Sequence, residues 1–232
     1  ILPLFIALLA SIDFNFIGFN IHVADQGIFN FPYIWHFNSF IISYLKLFLA
    51  IVIVSMMSNE YSNRTLKQNL IDGMSKKEFI LSKFYTVLAF SAASTVFVFL
   101  LSMILGLSFS DYTEFSIIFS ELEFLLAYFI KLVGFFSFCM FLGILVKRSA
   151  FALGFLFVWW IIEKIVYLVV RFKITHTESA TDYFMQFFPI EATYNVLKQP
   201  FTRISIVQTA ANKLQTDVIT DYAVHWYSVL IV

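Results

Sequence analysis

Residues 59–84 read NEYSNRTLKQNLIDGMSKKEFILSKF, a polar stretch between two of the most apolar segments of the chain. Its punctuation decides how the rest is read. Ser62 or Asn63 suits an N-cap, because a short polar side chain there can accept from an amide that the first helical turn leaves unpaired. Beyond it Leu66, Leu70 and Ile71 recur at i, i+4 and i+5, while Arg64, Lys67 and Gln68 fall on other faces, which predicts a short amphipathic helix. Gly73 follows the last periodic residue, where a left-handed backbone carries no Cβ penalty, so the helix is expected to stop there. A second helix is expected to restart at Ser75. Glu78, three residues on, completes an S-x-x-E capping box, and Phe79, Ile80 and Phe84 lead into the next apolar run. A topology anchor needs only the charges. The stop, the restart and the stripe point instead to a rigid docking hairpin.

Working outward, 60% of the residues are hydrophobic and 13% charged, against about 25% charged in soluble domains. With a mean hydropathy of +0.85 this is the composition of a membrane protein. Crossing ~30 Å of hydrocarbon takes about 20 mostly apolar residues. Runs 37–58, 84–107, 124–146 and 150–170 satisfy that rule, and partial runs 1–11 and 222–232 would complete six. The expected fold is an all-α membrane protein of six transmembrane helices, the first and last incomplete, with the amphipathic helix between the second and third. With no internal repeat and no linker, residues 1–232 read as one domain. Both ends fall in apolar runs, so the chain is expected to be part of a longer protein.

Positive residues are retained on the cytoplasmic side of a membrane. The 59–83 connection carries Arg64, Lys67, Lys76, Lys77 and Lys83, and the next short turn adds Lys147 and Arg148. Loops 12–36 and 108–123 carry no Lys or Arg and hold Asp13, Asp25, Asp111, Glu114, Glu121 and Glu123. The hairpin and both termini are therefore expected inside. Segment 172–219, with Lys173, Lys198, Arg203 and Lys213, is then external, and long translocated segments follow the charge rule less strictly. Net charge is zero, which gives no reason to expect a nucleic-acid partner. The single cysteine, Cys139, excludes an internal disulfide and a cysteine-based zinc site.

Glu60, Arg64-Thr65, Leu70, Gly73-Met74-Ser75-Lys76, Glu78 and Lys83, in this order between the second and third runs, resemble the cytoplasmic signature of ABC-2 type permeases. The resemblance covers the hairpin and extends to the six-span layout over most of the chain. Two positions depart from it: Arg64 replaces a frequent glycine, and Gly73 stands near a frequent proline. The resemblance implies a multi-pass permease subunit of an ATP-driven exporter in a bacterial inner membrane. It also implies a second permease subunit, as homodimer or heterodimer, and two ABC ATPase subunits that hold ATP and magnesium. The hairpin would be the coupling helix seated in an ATPase groove, through Glu60, Arg64, Thr65, Leu66, Lys67, Leu70, Gly73, Ser75 and Glu78. Leu66 and Leu70 would be its buried anchors, Arg64 and Lys67 its rim charges. The chain's own residues agree with a separate motor, since they contain no G-x-x-x-x-G-K-[ST] loop and no G-x-G-x-x-G after a strand. No catalytic residue, metal site or cofactor is expected in this chain.

Charges inside the apolar runs are the second informative feature, because an ionisable group at bilayer depth is costly unless paired or hydrated. Lys46, Lys131, Glu163 and Lys164 all lie about 7 to 10 residues from the external ends, roughly 11 to 15 Å deep at helical rise. One reading is structural, with Glu163 in a salt bridge to Lys46 or Lys131. The other is a polar patch lining a transport path, whose excess positive charge would suit an anionic or amphiphilic cargo. In segment 172–219, Phe184, Phe187, Phe188, Ile190, Tyr194 and Leu197, punctuated by Pro189 and Pro200, predict broken helices that lie at or re-enter the outer interface. Tyr33, Trp35, Trp226 and Tyr227 fit an aromatic belt.

Two other classes compete with a transporter. An intramembrane enzyme would need a catalytic set, but His22, His36, His176 and His225 show no H-E-x-x-H spacing, and the three that fall on the external side read as solvated surface groups. Glu121 and Glu123 form E-x-E rather than the adjacent pair followed by arginine of glutamate-type membrane proteases. A non-transporting scaffold or sensor bound to an ATPase would keep the same hairpin, and the residues alone do not separate it from an exporter.

Overall fold

The computed structural model describes residues 14–16, 19–21, 28–110, 112, 114–203, 223–224 and 226–232. Strands β1 (Phe14–Phe16) and β2 (Phe19–Ile21) pair antiparallel with Asn15 opposite Asn20. The alternation F-N-F and F-N-I has the period of a strand, a signal the reading of 12–36 as a plain loop passes over. The other elements are helical: α1 (Tyr33–Ser43), α2 (Lys46–Ser62), α3 (Thr65–Ile71), α4 (Lys76–Phe109), α5 (Phe115–Ile118), α6 (Glu123–Val146) and α7 (Ser149–Val170). A π-turn at Arg171–Thr175 extends α7, followed by α8 (Glu178–Met185), α9 (Pro189–Asn195), a 3-10 turn at Phe201–Arg203 and α10 (Trp226–Ile231).

Among the described residues, three helical stretches are long and apolar enough to cross a membrane: Lys76–Phe109, Phe115–Val146 and Ser149–Thr175. A fourth is added if α1 and α2 count as one broken span. Of the other expected spans, 1–11 lies outside the described residues, and 222–232 contains the six-residue α10. Only 17% of the most apolar window of Ser149–Thr175 is buried, so side chains such as Phe151, Phe157, Val158 and Ile165 point outward. A surface that apolar is far beyond what a soluble monomer exposes, and it suits lipid.

Helix α4 has 34 residues and therefore reaches about 50 Å, well beyond the hydrocarbon thickness. No proline interrupts it, so the restarted helix and the apolar run 84–107 form one rod, as the hairpin reading predicts.

The chain divides into two compact units. The first comprises Ile1–Tyr44, Ser94–Tyr128 and Leu197–Val224. Its core centres on Trp35, which is wholly buried, stacks on Phe99 at 5.4 Å and donates its indole N–H to the Ile118 carbonyl at 2.7 Å. Trp35 is thus a core residue and not part of an aromatic belt, because a tryptophan N–H can be buried once it has an acceptor. His36 is corrected in the same way. Far from being solvated, it is wholly buried, lies flat on Phe124 at 4.0 Å and sets Nε2 2.9 Å from the Lys198 carbonyl. Arg203 forks onto Glu121 at 2.8 and 3.4 Å, so that carboxylate is held in an ion pair.

The second unit comprises Leu45–Ala93, Phe129–Val196 and His225–Val232. Here α2 packs on α7, and α6 approaches α2 closely at Gly143, where a Cβ would lie 2.8 Å from Met57 Cβ. This unit holds both groups of residues that the sequence singles out.

Candidate functional site: a braced hairpin and a helix held by buried charges

The hairpin is built by local rules at both of its turns. Asp72 closes α3, and Gly73 follows with φ +101°. The Met74 amide donates to the Asn69 carbonyl at 3.0 Å and the Gly73 amide to Leu70 at 3.4 Å, the paired bonds of a Schellman stop. At the restart, the Ser75 amide donates to Glu78 Oε2 at 2.8 Å and the Glu78 amide to Ser75 Oγ at 3.2 Å. The reciprocal capping box is therefore present.

The start of α3 differs from the expectation. Ser62 is the last residue of α2, Asn63 caps that helix, and Arg64 precedes α3 in a left-handed conformation at φ +58°. A cap at Ser62 or Asn63 is displaced because Thr65 Oγ1 donates to Glu60 Oε2 at 2.5 Å. The other Glu60 oxygen pairs with Lys83. One carboxylate thus ties the end of α2, the start of α3 and the first turns of α4 together, which explains physically why a glutamate, a threonine and a lysine stand at these spacings. Burial raises the Glu60 pKa, but the Lys83 and Thr65 hydrogen bonds outweigh it and hold the group below its ordinary value.

The remaining hairpin residues form its outer face. Arg64, Lys67, Lys76 and Lys77 are exposed, while Leu66 and Leu70 are half-buried against their own chain. Ile71, by contrast, is 84% exposed, and Met74 beside it is also open. The most outward apolar side chain is therefore Ile71, a member of the stripe that the candidate anchors Leu66 and Leu70 left out.

Glu78 supplies a pH test. The Ser75 amide and hydroxyl hold its carboxyl below the ordinary 4.5. A depressed folded-state pKa contributes stability that is complete above the ordinary value and is lost as pH falls through the lowered one. The Glu78 carboxyl carbon, followed by NMR in the full chain, is expected to titrate at lower pH than an unstructured glutamate, and Ser75→Ala, which removes the hydroxyl but keeps the amide, is expected to raise that titration only part of the way. Titration at or above the ordinary value contradicts the box.

The four span charges also come together, through an element that the sequence places outside. Helix α9 starts at Pro189, whose missing N–H and fixed φ suit the first helical position. Its residues Ile190, Glu191, Ala192 and Thr193 are buried. Glu163, 1% exposed, accepts from the Ile190 amide at 3.2 Å, the Glu191 amide at 2.8 Å and the Trp159 indole at 2.5 Å. Lys164 pairs with Glu191 at 2.7 Å. Lys46 donates to Thr193 Oγ1 at 3.3 Å, and the Lys131 ammonium lies 5.6 Å from the Tyr194 ring centre. Four residues of one short helix, Ile190, Glu191, Thr193 and Tyr194, thus each meet a span charge.

The expected salt bridge from Glu163 to Lys46 or Lys131 is replaced by this arrangement. A carboxylate at a helix start satisfies two amides that would otherwise be buried unpaired, and it complements the positive end of the helix dipole. Glu191 is the charged member of this cluster that the sequence reading passes over. It sits in the 172–219 segment, where a carboxylate reads as solvated, yet it is 2% exposed.

A family model described as "Protein of unknown function (DUF2705)" matches residues 4–189. The chain belongs to the DUF2705 family. No curated protein and no solved structure matches it. The DUF2705 match spans the hairpin and all four span charges, and it ends at Pro189, the first residue of the helix those charges hold. Among the described DUF2705 residues, no cluster of three or more His, Cys, Asp or Glu is placed to hold a metal.

Proposed function

We propose that the chain is the membrane-spanning permease subunit of an ABC-2 type exporter, in which a separate ATPase drives substrate movement across a bacterial inner membrane. In this reading the hairpin is the coupling element on the cytoplasmic side, with both termini on that side, and six spans per subunit pair with a second permease copy or homologue. ATP and magnesium bind in the ATPase.

The observation that carries the reading is the outer face of α3. A helix this short would not persist alone in water. Here it is stopped by Gly73, restarted by Ser75 and braced by Glu60, Thr65 and Lys83. What this rigid frame presents outward is an apolar pair, Ile71 and Met74, on a hairpin whose Arg64, Lys67, Lys76 and Lys77 are also exposed. An exposed isoleucine held in place suits an anchor awaiting a pocket. Because α4 continues without a break, displacement of the tip would pass directly to the membrane bundle, biasing one packing over another.

The test is purification from native membranes, with the bound chains identified by mass spectrometry. The expected companion carries a G-x-x-x-x-G-K-[ST] loop and hydrolyses ATP. A complex without a nucleotide-binding chain contradicts the reading, whereas an ATPase companion whose hydrolysis moves no cargo indicates a scaffold.

A further inference from the structure

We propose that the turn between α6 and α7 holds the headgroup of an anionic phospholipid, whose acyl chains lie along the outward faces of those two helices. Helix α6 ends at Val146 and α7 starts at Ser149, so the connection is only Lys147 and Arg148. Helical bonds on either side hold it in place: the Lys147 amide donates to the Gly143 carbonyl at 3.1 Å, and the Arg148 carbonyl accepts from the Ala152 amide at 2.9 Å. Both side chains are exposed, and the Lys147 ammonium lies 5.7 Å from the ring centre of Tyr61, near the end of α2. That contact sets the turn beside the base of the hairpin.

Charge and apolar surface together point to the occupant. Among the described residues, neither Lys147 nor Arg148 is in an ion pair. Glu60, which adjoins Tyr61 in the chain, is committed to Lys83 and Thr65. Two cations on a fixed turn are therefore left without an anion of the protein's own, and the arginine can fork onto a phosphate. Directly next to the turn the helices turn apolar side chains outward. Phe141 and Leu145 on α6, and Phe151 and Phe155 on α7, are 40–64% exposed, and each pair shares one helix face at i and i+4. A soluble anion or an acidic peptide meets only the charges. A phospholipid meets both the charges and the apolar rows, and an anionic one compensates the cations where a zwitterionic one brings a positive charge of its own. The inference uses the apolar character of these helices and does not depend on the transporter reading.

The test is native mass spectrometry of the purified full chain, titrated in detergent with phosphatidylglycerol or with phosphatidylcholine of the same acyl chains. The parent is expected to bind the first phosphatidylglycerol about 30-fold more tightly, at about fivefold for each cation. Lys147→Gln/Arg148→Gln should make the two lipids equal. Arg148→Gln alone should lose about fivefold of the preference, and Lys173→Gln, at the far end of α7, none of it. Excess glycerol 3-phosphate should leave the lipid in place, because it lacks the acyl chains. Should the double variant fail to elute as a single species, the comparison of lipids on the parent and Arg148→Gln still decide. Equal affinity for both lipids in the parent, a preference that survives the double variant, or displacement by glycerol 3-phosphate would overturn the proposal. So would a double variant that keeps its lipid and loses a copurified protein chain, which would assign the turn to a protein contact.

Discussion

Glu163→Leu is expected to cost the protein about 3–5 kcal/mol, the range for removing one partner of a buried charged contact. The carboxylate has three donors, the amides of Ile190 and Glu191 and the indole of Trp159, and leucine accepts from none of them. Those groups stay buried, so each carries a desolvation penalty with no bond in return. Helix α9 also loses the anion at its positive end. Against a total stability of about 5–15 kcal/mol, a loss of this size should lower the midpoint of thermal unfolding by roughly 10 °C or prevent accumulation of folded protein. Glu163→Gln keeps one acceptor oxygen and should fall between parent and Leu variant. The readout is thermal unfolding of the purified chain, followed by its elution profile. A Leu variant within ~0.5 kcal/mol of the parent would show that the carboxylate does not hold α9.

The second large effect is expected at the hairpin tip. If the proposed function holds, Ile71→Asp should weaken binding of the partner ATPase by at least about 2 kcal/mol, roughly 30-fold, as expected for an apolar anchor at the centre of an interface. ATP hydrolysis should then run without transport. Because Ile71 is 84% exposed, its replacement removes little internal packing, and the variant should be as stable as the parent. Leu70→Asp is the informative contrast. Leu70 is half-buried against its own chain, so that change should reduce both stability and coupling. Unchanged affinity in a folded Ile71→Asp variant would remove α3 from the interface.

What the sequence disclosed follows the range of the interactions involved. The stop at Gly73 and the box at Ser75 and Glu78 are closed by bonds spanning five residues or fewer, so residue type and spacing suffice to read them. The start of α3 was misjudged because a Thr65–Glu60 bond replaces the cap, and the Glu60–Lys83 pair bridges 23 residues that no periodicity links. Glu163 shows the limit most clearly. That a charge at such depth must be compensated was legible, but its partners are backbone amides 27 and 28 residues away, and every residue except proline offers such an amide. Charge counting therefore searched among lysines. The same habit reads His36 as solvated and passes over Glu191, whereas each is buried with a specific partner. The long apolar helices themselves were legible because composition over some 20 residues dictates them whatever their neighbours do.

Lys67, Lys76 and Lys77 belong to the hairpin and are exposed, so they are open to amine-reactive cross-linkers. Cross-linking mass spectrometry on the complex isolated from native membranes tests the central claim most directly. The account predicts that these lysines link to a chain bearing a nucleotide-binding loop, and that Ile71→Asp abolishes the links while the chain stays folded. Links from that ATPase that map only to other parts of this chain, leaving the hairpin lysines unmodified by any partner, would contradict it.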